Sequence, residues 1–529
     1  MIRRRADRVS DKGAAGTGVE GGPTEPMAGE RSIDREEALL DGVDVAPLAR
    51  RGALWGVIAQ VAQQLLSVGA TMILARLLTP SDFGIITASI TVLQFAQMTM
   101  ALGWQAAIVR RPDADGEYLS SIFWVVTGMG AALAAITALL APLLASLVGV
   151  PDATSYLRVL GLICIPGAAL AVPLGILQRR LQLRTMNLVY IQSFVVYVLV
   201  QVALAIAGAG AWAVIVGIVV HSSLQLVGMC LAARWRPLLV LRWKFIGQEF
   251  RFASGLLLNN GLTYGVRNAD YIVVGNLMGA AALGAYYVAY VMPQILRLRF
   301  TWAAGAVMYP ILVRSQSDTQ RTRDVYYHTH LLLAWIGFPA MVGLAVLAQP
   351  VVQVFFGPQW SAAVTPLRWL ALAALLEFVT FGPGMVATAQ GEVRGLLRTN
   401  MVRMFLLVVG VVTAGIAFRT IGAVAAAVFV TTLIWAIYQQ CTLSRRLGLA
   451  FAPLRKGLAV FAGLSIVLAG IVLVLLQQLD PRQPLVQLIV CTIAGAAVYL
   501  GLGRLLFPTI TSPLLRSVIK IVRSRDVAT

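Results

Sequence analysis

The stretch Ile73-Leu74-Ala75-Arg76-Leu77-Leu78-Thr79-Pro80-Ser81-Asp82-Phe83-Gly84 ends one apolar run, turns through small and polar residues, and opens the next. Two hundred positions on, without a gap, stands Val273-Val274-Gly275-Asn276-Leu277-Met278-Gly279-Ala280-Ala281-Ala282-Leu283-Gly284. Both copies close their first run on Leu-Leu or Leu-Met and start the second with an apolar residue followed by glycine. A second echo pairs Tyr156-Leu157-Arg158-Val159-Leu160 with Pro366-Leu367-Arg368-Trp369-Leu370, and Pro173 with Pro383, at an offset of two hundred and ten. Two matches in order at nearly one offset indicate a duplicated unit of roughly two hundred residues.

Composition sets the class. Hydrophobic residues make up 59% of the chain and charged residues 12%, with a mean hydropathy of +0.80. A soluble domain carries about 25% charged residues, so the chain reads as an all-α polytopic membrane protein. The net charge of +19 comes from basic residues scattered between apolar runs rather than gathered on one face, which points to membrane topology and away from nucleic acid. Cys164, Cys230, Cys441 and Cys491 all fall within apolar runs and at no metal-ligand or redox spacing, so neither metal, cofactor nor disulfide framework is expected.

From Gly52 onward, runs of about twenty apolar residues, the length that crosses a bilayer, follow one another. Fourteen are expected, near 53–78, 84–109, 119–147, 156–177, 187–208, 211–232, 252–277, 284–312, 328–356, 365–389, 400–418, 421–442, 457–477 and 485–507. With a cytoplasmic N-terminus, thirty-four Lys and Arg fall on the cytoplasmic side against five opposite (Arg76, Arg158, Arg368, Arg419 and Arg482). That bias places both termini in the cytoplasm. The expected organisation is a disordered tail (1–50), an N-lobe of helices 1–6 (51–233), an inter-lobe linker (234–251), a C-lobe of helices 7–12 (252–442), helices 13–14 (443–508) and a basic tail (509–529). No signal peptide is expected, because the basic start is not followed by an apolar core. Helices 1 and 7 start on the same side, so the two six-helix repeats are parallel, an architecture that leaves a cavity between lobes.

These residues resemble a family. Ala53-Leu54-Trp55 leading to Gln60 and Gln63, followed by Leu74 to Gly84, is similar to the first-helix signature of the polysaccharide transporters within the multidrug/oligosaccharidyl-lipid/polysaccharide exporter superfamily. The likeness continues through Gly103–Val109, Ser121–Trp124, Asp270–Tyr290, Tyr309-Pro310 and Pro366–Gly391, over most of residues 52–450. Arg297-Leu298-Arg299 and the long N-terminal tail depart from the family pattern. The resemblance implies a fold like that of the superfamily's multidrug exporters. It also implies a bacterial inner-membrane flippase for polyprenyl-pyrophosphate-linked oligosaccharides, working beside membrane lipid and the polymerase and chain-length proteins of its pathway.

Such a cargo asks for a wet cavity with fixed positive charge, so ionisable residues inside the apolar runs are the candidates. Arg267, Arg297 and Arg299 are candidate substrate ligands, with Gln60 and Gln63 for sugar hydroxyls. Asp270 and Glu377 are candidates for ion coupling, and Pro173 and Pro383 for bending or gating. Each has a plainer reading. Arg267 and Asp270, three apart, face one side of a helix and could simply neutralise each other. Glu377 has no basic residue within a turn, and is either hydrogen-bonded and protonated or a proton carrier. The glutamines could join helices, His221 likewise, and the prolines could be static kinks. Two other classes stay open: a small-molecule or drug-cation antiporter, which would prefer an acidic cavity, and a membrane-embedded polymerase or ligase. The second would want charged residues on a large external loop, yet the longest such loop, 349–365, has none. The chain carries no nucleotide-binding Gly-rich loop, so no built-in ATPase and no enzyme activity are expected.

Overall fold

The computed structural model describes residues 45–100, 104–110, 115–242, 246–314, 319–382, 385–386, 393–447 and 451–508. The N-terminal tail through residue 44 and the basic tail 509–529 lie outside the described residues. The described residues are almost entirely helical. The helices are α1 (Val45–Leu77), α2 (Pro80–Met100), α3 (Trp104–Arg110), α4 (Gly116–Leu147), α5 (Thr154–Gly161), α6 (Cys164–Ala169), α7 (Ala171–Arg179), α8 (Leu183–Ile206), α9 (Trp212–Ala233) and α10 (Ile246–Arg314). After these come α11 (Thr319–Val346), α12 (Ala348–Phe355), α13 (Val364–Val379), α14 (Val393–Phe418), α15 (Ile421–Leu447), α16 (Phe451–Gln478) and α17 (Pro484–Leu506).

Within the described residues, the fourteen expected apolar runs fall largely on helix, the fourth broken at 162–163. By length and apolarity, ten described helices are able to cross a membrane, and eleven if the bent pair at 151–179 is one span. Parts of α1 and α2 lie outside the residues whose side chains are described, so the ten are counted among the described residues alone. α10 is two spans read as one, because its helical hydrogen-bonding runs across the turn at Gly279. No more than 44% of any span's apolar window is buried inside the protein, so large apolar side chains such as Leu139, Leu231, Ile466 and Leu505 face outward, as lipid-facing surfaces require.

Some boundaries shift. α1 begins at Val45, inside the segment expected to be disordered, and α10 begins at Ile246, so the last six residues of the expected linker 234–251 are helical. Residues 235–242 of that linker are irregular and tied to α4: Leu238 N–H donates to Ser120 Oγ (2.9 Å), Arg242 N–H to Ser121 Oγ (3.0 Å), and the Arg242 guanidinium pairs with Glu117 (2.8 Å).

The duplicated hinge organises the core. Its first copy is closed by reciprocal capping at the start of α2: Thr79 donates to Asp82 Oδ2 through both its N–H (3.0 Å) and its hydroxyl (2.7 Å), and Asp82 N–H returns to Thr79 Oγ1 (3.2 Å). The second copy has no acid there and turns instead at Gly279, whose φ of +80° is open to glycine. α2 packs along α10, and the two copies meet each other. A Cβ on Gly84 would stand 1.8 Å from the Ala280 carbonyl oxygen, and one on Gly284 would stand 2.0 Å from that of Pro80. Gly84 and Gly284 are equivalent positions, as are Pro80 and Ala280, so the crossing is reciprocal. Flanking contacts repeat the exchange. Arg76 donates to the Val354 carbonyl (2.8 Å) while its equivalent Asn276 donates to that of Leu147. Trp360 Nε1 and Gln359 Nε2 both donate to the Ala75 carbonyl at 2.8 Å.

The second echo is equally visible. Ala153, Leu157 and Leu160 are buried and Arg158 exposed, as are Ala363, Leu367, Leu370 and Arg368 in the other half. α16 packs on α11 and α17 on α12 and α16, so the last two helices attach to the second half.

Candidate functional site

Charged residues from three helices converge within the second half. α10 supplies Asp270 and Arg297, α13 supplies Glu377, and α14 supplies Arg403, all lining one narrow cleft with Tyr290, Gln294, Thr431 and Thr432. The Glu377 carboxylate is shared by two guanidiniums. Arg297 Nε lies 2.7 Å from Glu377 Oε2 and Arg403 Nη2 lies 2.5 Å from Oε1. Arg403 also covers the ring of Trp435, its Cζ 4.3 Å from the centroid, a cation–π contact that fixes the guanidinium plane. Asp270, 2% exposed, accepts from the Tyr286 hydroxyl (3.0 Å) and from the Tyr271 N–H (3.0 Å). Beside it Tyr271 stands edge-on to Tyr286, and Tyr290 packs tilted against both, centroids 5.6 to 6.1 Å apart.

This arrangement redistributes the roles drawn from sequence. Glu377 has no basic residue within a turn of its own helix, but two reach it from α10 and α14. Arg297 has no acidic neighbour on its own helix, and is paired across to Glu377. Two arginines against one carboxylate leave an excess positive charge around Glu377, which Asp270 balances when ionised. Arg267 and Arg299 lie on α10, and their side chains are outside the described residues. Gln60 is exposed and Gln63 half-buried on α1, and neither lines the cleft. Pro383 lies outside the described residues. Pro173 sits in the first turn of α7, whereas the 41° bend of that span falls between Gly161 and Cys164. Pro166, which has no N–H to offer the Leu162 carbonyl, stands just beyond that bend. His221 joins α9 to α8, packed on the rings of Phe194 and Tyr197 at 5.9 and 5.6 Å.

Arg403 is the member that sequence reasoning misses. It counts among the cytoplasmic basic residues 394–403 although it lies three residues inside the expected eleventh span, 400–418. α14 begins at Val393 and its apolar span runs from Arg398 to Phe418, which sets Arg403 well inside the helix. The usable signal was an arginine within an almost uninterrupted apolar run, Met401 to Val412.

Comparison with known proteins places the chain in a family. A profile of the family described as "polysaccharide biosynthesis protein" matches residues 73–365. The lipopolysaccharide biosynthesis protein WzxC of Escherichia coli (strain K12) is 24% identical over 375 residues, spanning 69% of this chain and 74% of that one. The succinoglycan biosynthesis transport protein ExoT of Rhizobium meliloti (strain 1021) is 27% identical over 350 residues, with coverages of 66% and 71%. Among solved structures, the lipid II flippase MurJ in an inward closed conformation superposes with a TM-score of 0.71 at 14% identity, covering 88% of this chain and 100% of that one. An inward-facing multidrug resistance MATE transporter of the MOP superfamily gives a TM-score of 0.58 at 16% identity, with coverages of 74% and 96%. At those identities the likeness is one of fold.

Proposed function

The chain belongs to the polysaccharide biosynthesis protein family, and from that membership we propose that it is a flippase. It moves polyprenyl-pyrophosphate-linked oligosaccharide repeat units from the cytoplasmic to the periplasmic leaflet of the bacterial inner membrane, with both its termini in the cytoplasm. It is a multi-pass transporter rather than an enzyme. The observation that carries the reading is the convergence of Arg297 and Arg403 on one carboxylate inside the apolar spans, where an unneeded charge is strongly disfavoured.

Two guanidiniums held by a single carboxylate are suited to an exchange of partners. A pyrophosphate offers oxygens in the planar, two-pronged spacing that a guanidinium grips, so Glu377 stands in for the cargo's phosphate while the site is empty. Protonation of Glu377, or its displacement, frees both arginines for the arriving anion. Asp270, lining the same cleft, restores charge balance when the anion departs, which gives the pair their coupling role. In this orientation the seam between the two hinge copies seals the periplasmic side, and lobe motion around it exposes the site to each face in turn. Gln60 and Gln63 on α1, and Arg267 and Arg299 on α10, complete the proposed cargo contacts.

The direct test is reconstitution. Purified protein in liposomes, supplied with precursor lipid extracted from the producing bacterium, should move that lipid between leaflets, and deletion of the gene should abolish surface polysaccharide. Intact polysaccharide in the deletion strain, with no lipid movement in liposomes, would refute the assignment.

A further inference from the structure

The N-lobe carries an open cavity of about 920 Å³ lined, among the described residues, by its own helices alone, near the upper end of the ~300–1,000 Å³ usual for small-molecule sites. Its polar lining comes from four helices: Gln94 and Gln97 on α2, Gln105 on α3, Gln178 on α7 and Gln225 on α9. Among the described residues these five amides make no side-chain hydrogen bond, and no Asp, Glu, Lys or Arg lines the space. The indole N–H of Trp104, on the same lining, is buried without a partner. A buried polar atom left unpaired costs roughly 1–3 kcal/mol, so this donor beside five amides free to bond a guest suits a ligand that supplies hydrogen-bonding oxygens. Apolar strips between the amides, from Ile90, Val126 and Ile218, complete the surface.

We infer that this cavity is a saccharide site, seating the neutral, hydroxyl-rich sugars of the cargo while the charged cleft of the other lobe handles its pyrophosphate. The inference rests on the flippase reading above. Hydroxyls both donate and accept, and so do primary amides, so each glutamine satisfies a sugar oxygen whichever way it is turned. The C–H faces of pyranose rings suit the apolar strips. A polyprenyl tail would leave the amides unpaired, and an organic cation would find no carboxylate.

The test uses the full chain in lipid nanodiscs and two probes: the oligosaccharide-bearing precursor lipid and undecaprenyl pyrophosphate alone. Gln94→Leu/Gln225→Leu removes two amides. Gly167→Leu fills the cavity instead, at a position where an added Cβ meets only Gln97 Nε2, at 3.9 Å, so this variant keeps its fold even if the amide variant does not. Either variant should bind the saccharide-bearing lipid about tenfold more weakly, the worth of one or two neutral hydrogen bonds. Both should bind undecaprenyl pyrophosphate like the parent. Equal weakening toward both probes, no weakening in Gly167→Leu, or a parent protein that binds both probes equally would overturn the saccharide site. A parent that binds neither probe would remove the flippase reading itself, and the inference with it.

Discussion

Alanine at Gly84 should force open the seam between the two hinge copies. The added methyl would lie 1.8 Å from the Ala280 carbonyl oxygen, 2.5 Å from its carbon and 2.8 Å from its Cα, all backbone atoms that cannot swing aside. Ordinary contact begins at 3.4 Å, so the helices must part by about 1.6 Å locally. Overpacking of that size against rigid partners belongs at the upper end of the ~1–3 kcal/mol range. Helix propensity returns up to ~1 kcal/mol for replacing glycine. The net cost to the closed seam is then ~2 kcal/mol, or about a 30-fold shift of the closed-to-open ratio. Gly284→Ala, at 2.0 Å from the Pro80 carbonyl oxygen, should cost nearly as much. The double variant should cost little more than either alone, because one separation of the helices relieves both clashes. The assay is labelling of a reporter cysteine at Leu78, which is 4% exposed in the closed seam, in a background lacking the four native cysteines. Labelling should quicken in both single variants. Gly470→Ala, with nothing within 4 Å, is the control. Unchanged labelling in Gly84→Ala, or strictly additive costs, would refute the reciprocal crossing.

Three further outcomes are expected. Glu377→Gln should abolish transport driven by a pH gradient while insertion and precursor binding persist; normal pH-driven transport there and in Asp270→Asn would remove the coupling role. Arg297→Lys and Arg403→Lys should impair export in part and the alanine variants more severely, since lysine keeps the charge but not the planar fork. Arg403→Ala should also lower thermal stability, because Trp435 loses the cation stacked on it, by ~1 kcal/mol. Reporter fusions after Arg111, Arg251, Arg323 and Lys456 should read as cytoplasmic and those near Asp152 and Gln359 as periplasmic; a periplasmic signal at Arg251 would overturn the helix count.

The fold was legible because bilayer-spanning runs declare themselves in composition and the hinge repeats without a gap. The repeat was visible in residues such as Leu157 and Leu367, whose burial it shares. The charged cleft was legible only in part. Asp270, Arg297 and Glu377 stand out as ions inside apolar runs, but reading along one helix cannot show that Arg297 and Glu377 meet across two. Arg403 was hidden because, three residues inside the expected span 400–418, it was grouped with the basic residues 394 and 398 that precede it, while α14 begins at Val393. The N-lobe cavity was hidden for another reason. Glutamines scattered over four helices look alike in sequence whether they join helices or face a void, and only Gln60 and Gln63, crowded on one helix, draw the eye.

The reciprocal crossing has a consequence for the history of the chain. Gly84 on Ala280 and Gly284 on Pro80 make the seam self-complementary, as in an isologous dimer folded into one polypeptide. A half-length ancestor carrying one hinge would already have owned both sides of that contact and paired with its own copy. Once fused, neither hinge could drift alone, because each glycine is the space its counterpart's backbone occupies. The glycine that closes the twelve residues therefore stands in both copies, at Gly84 and Gly284.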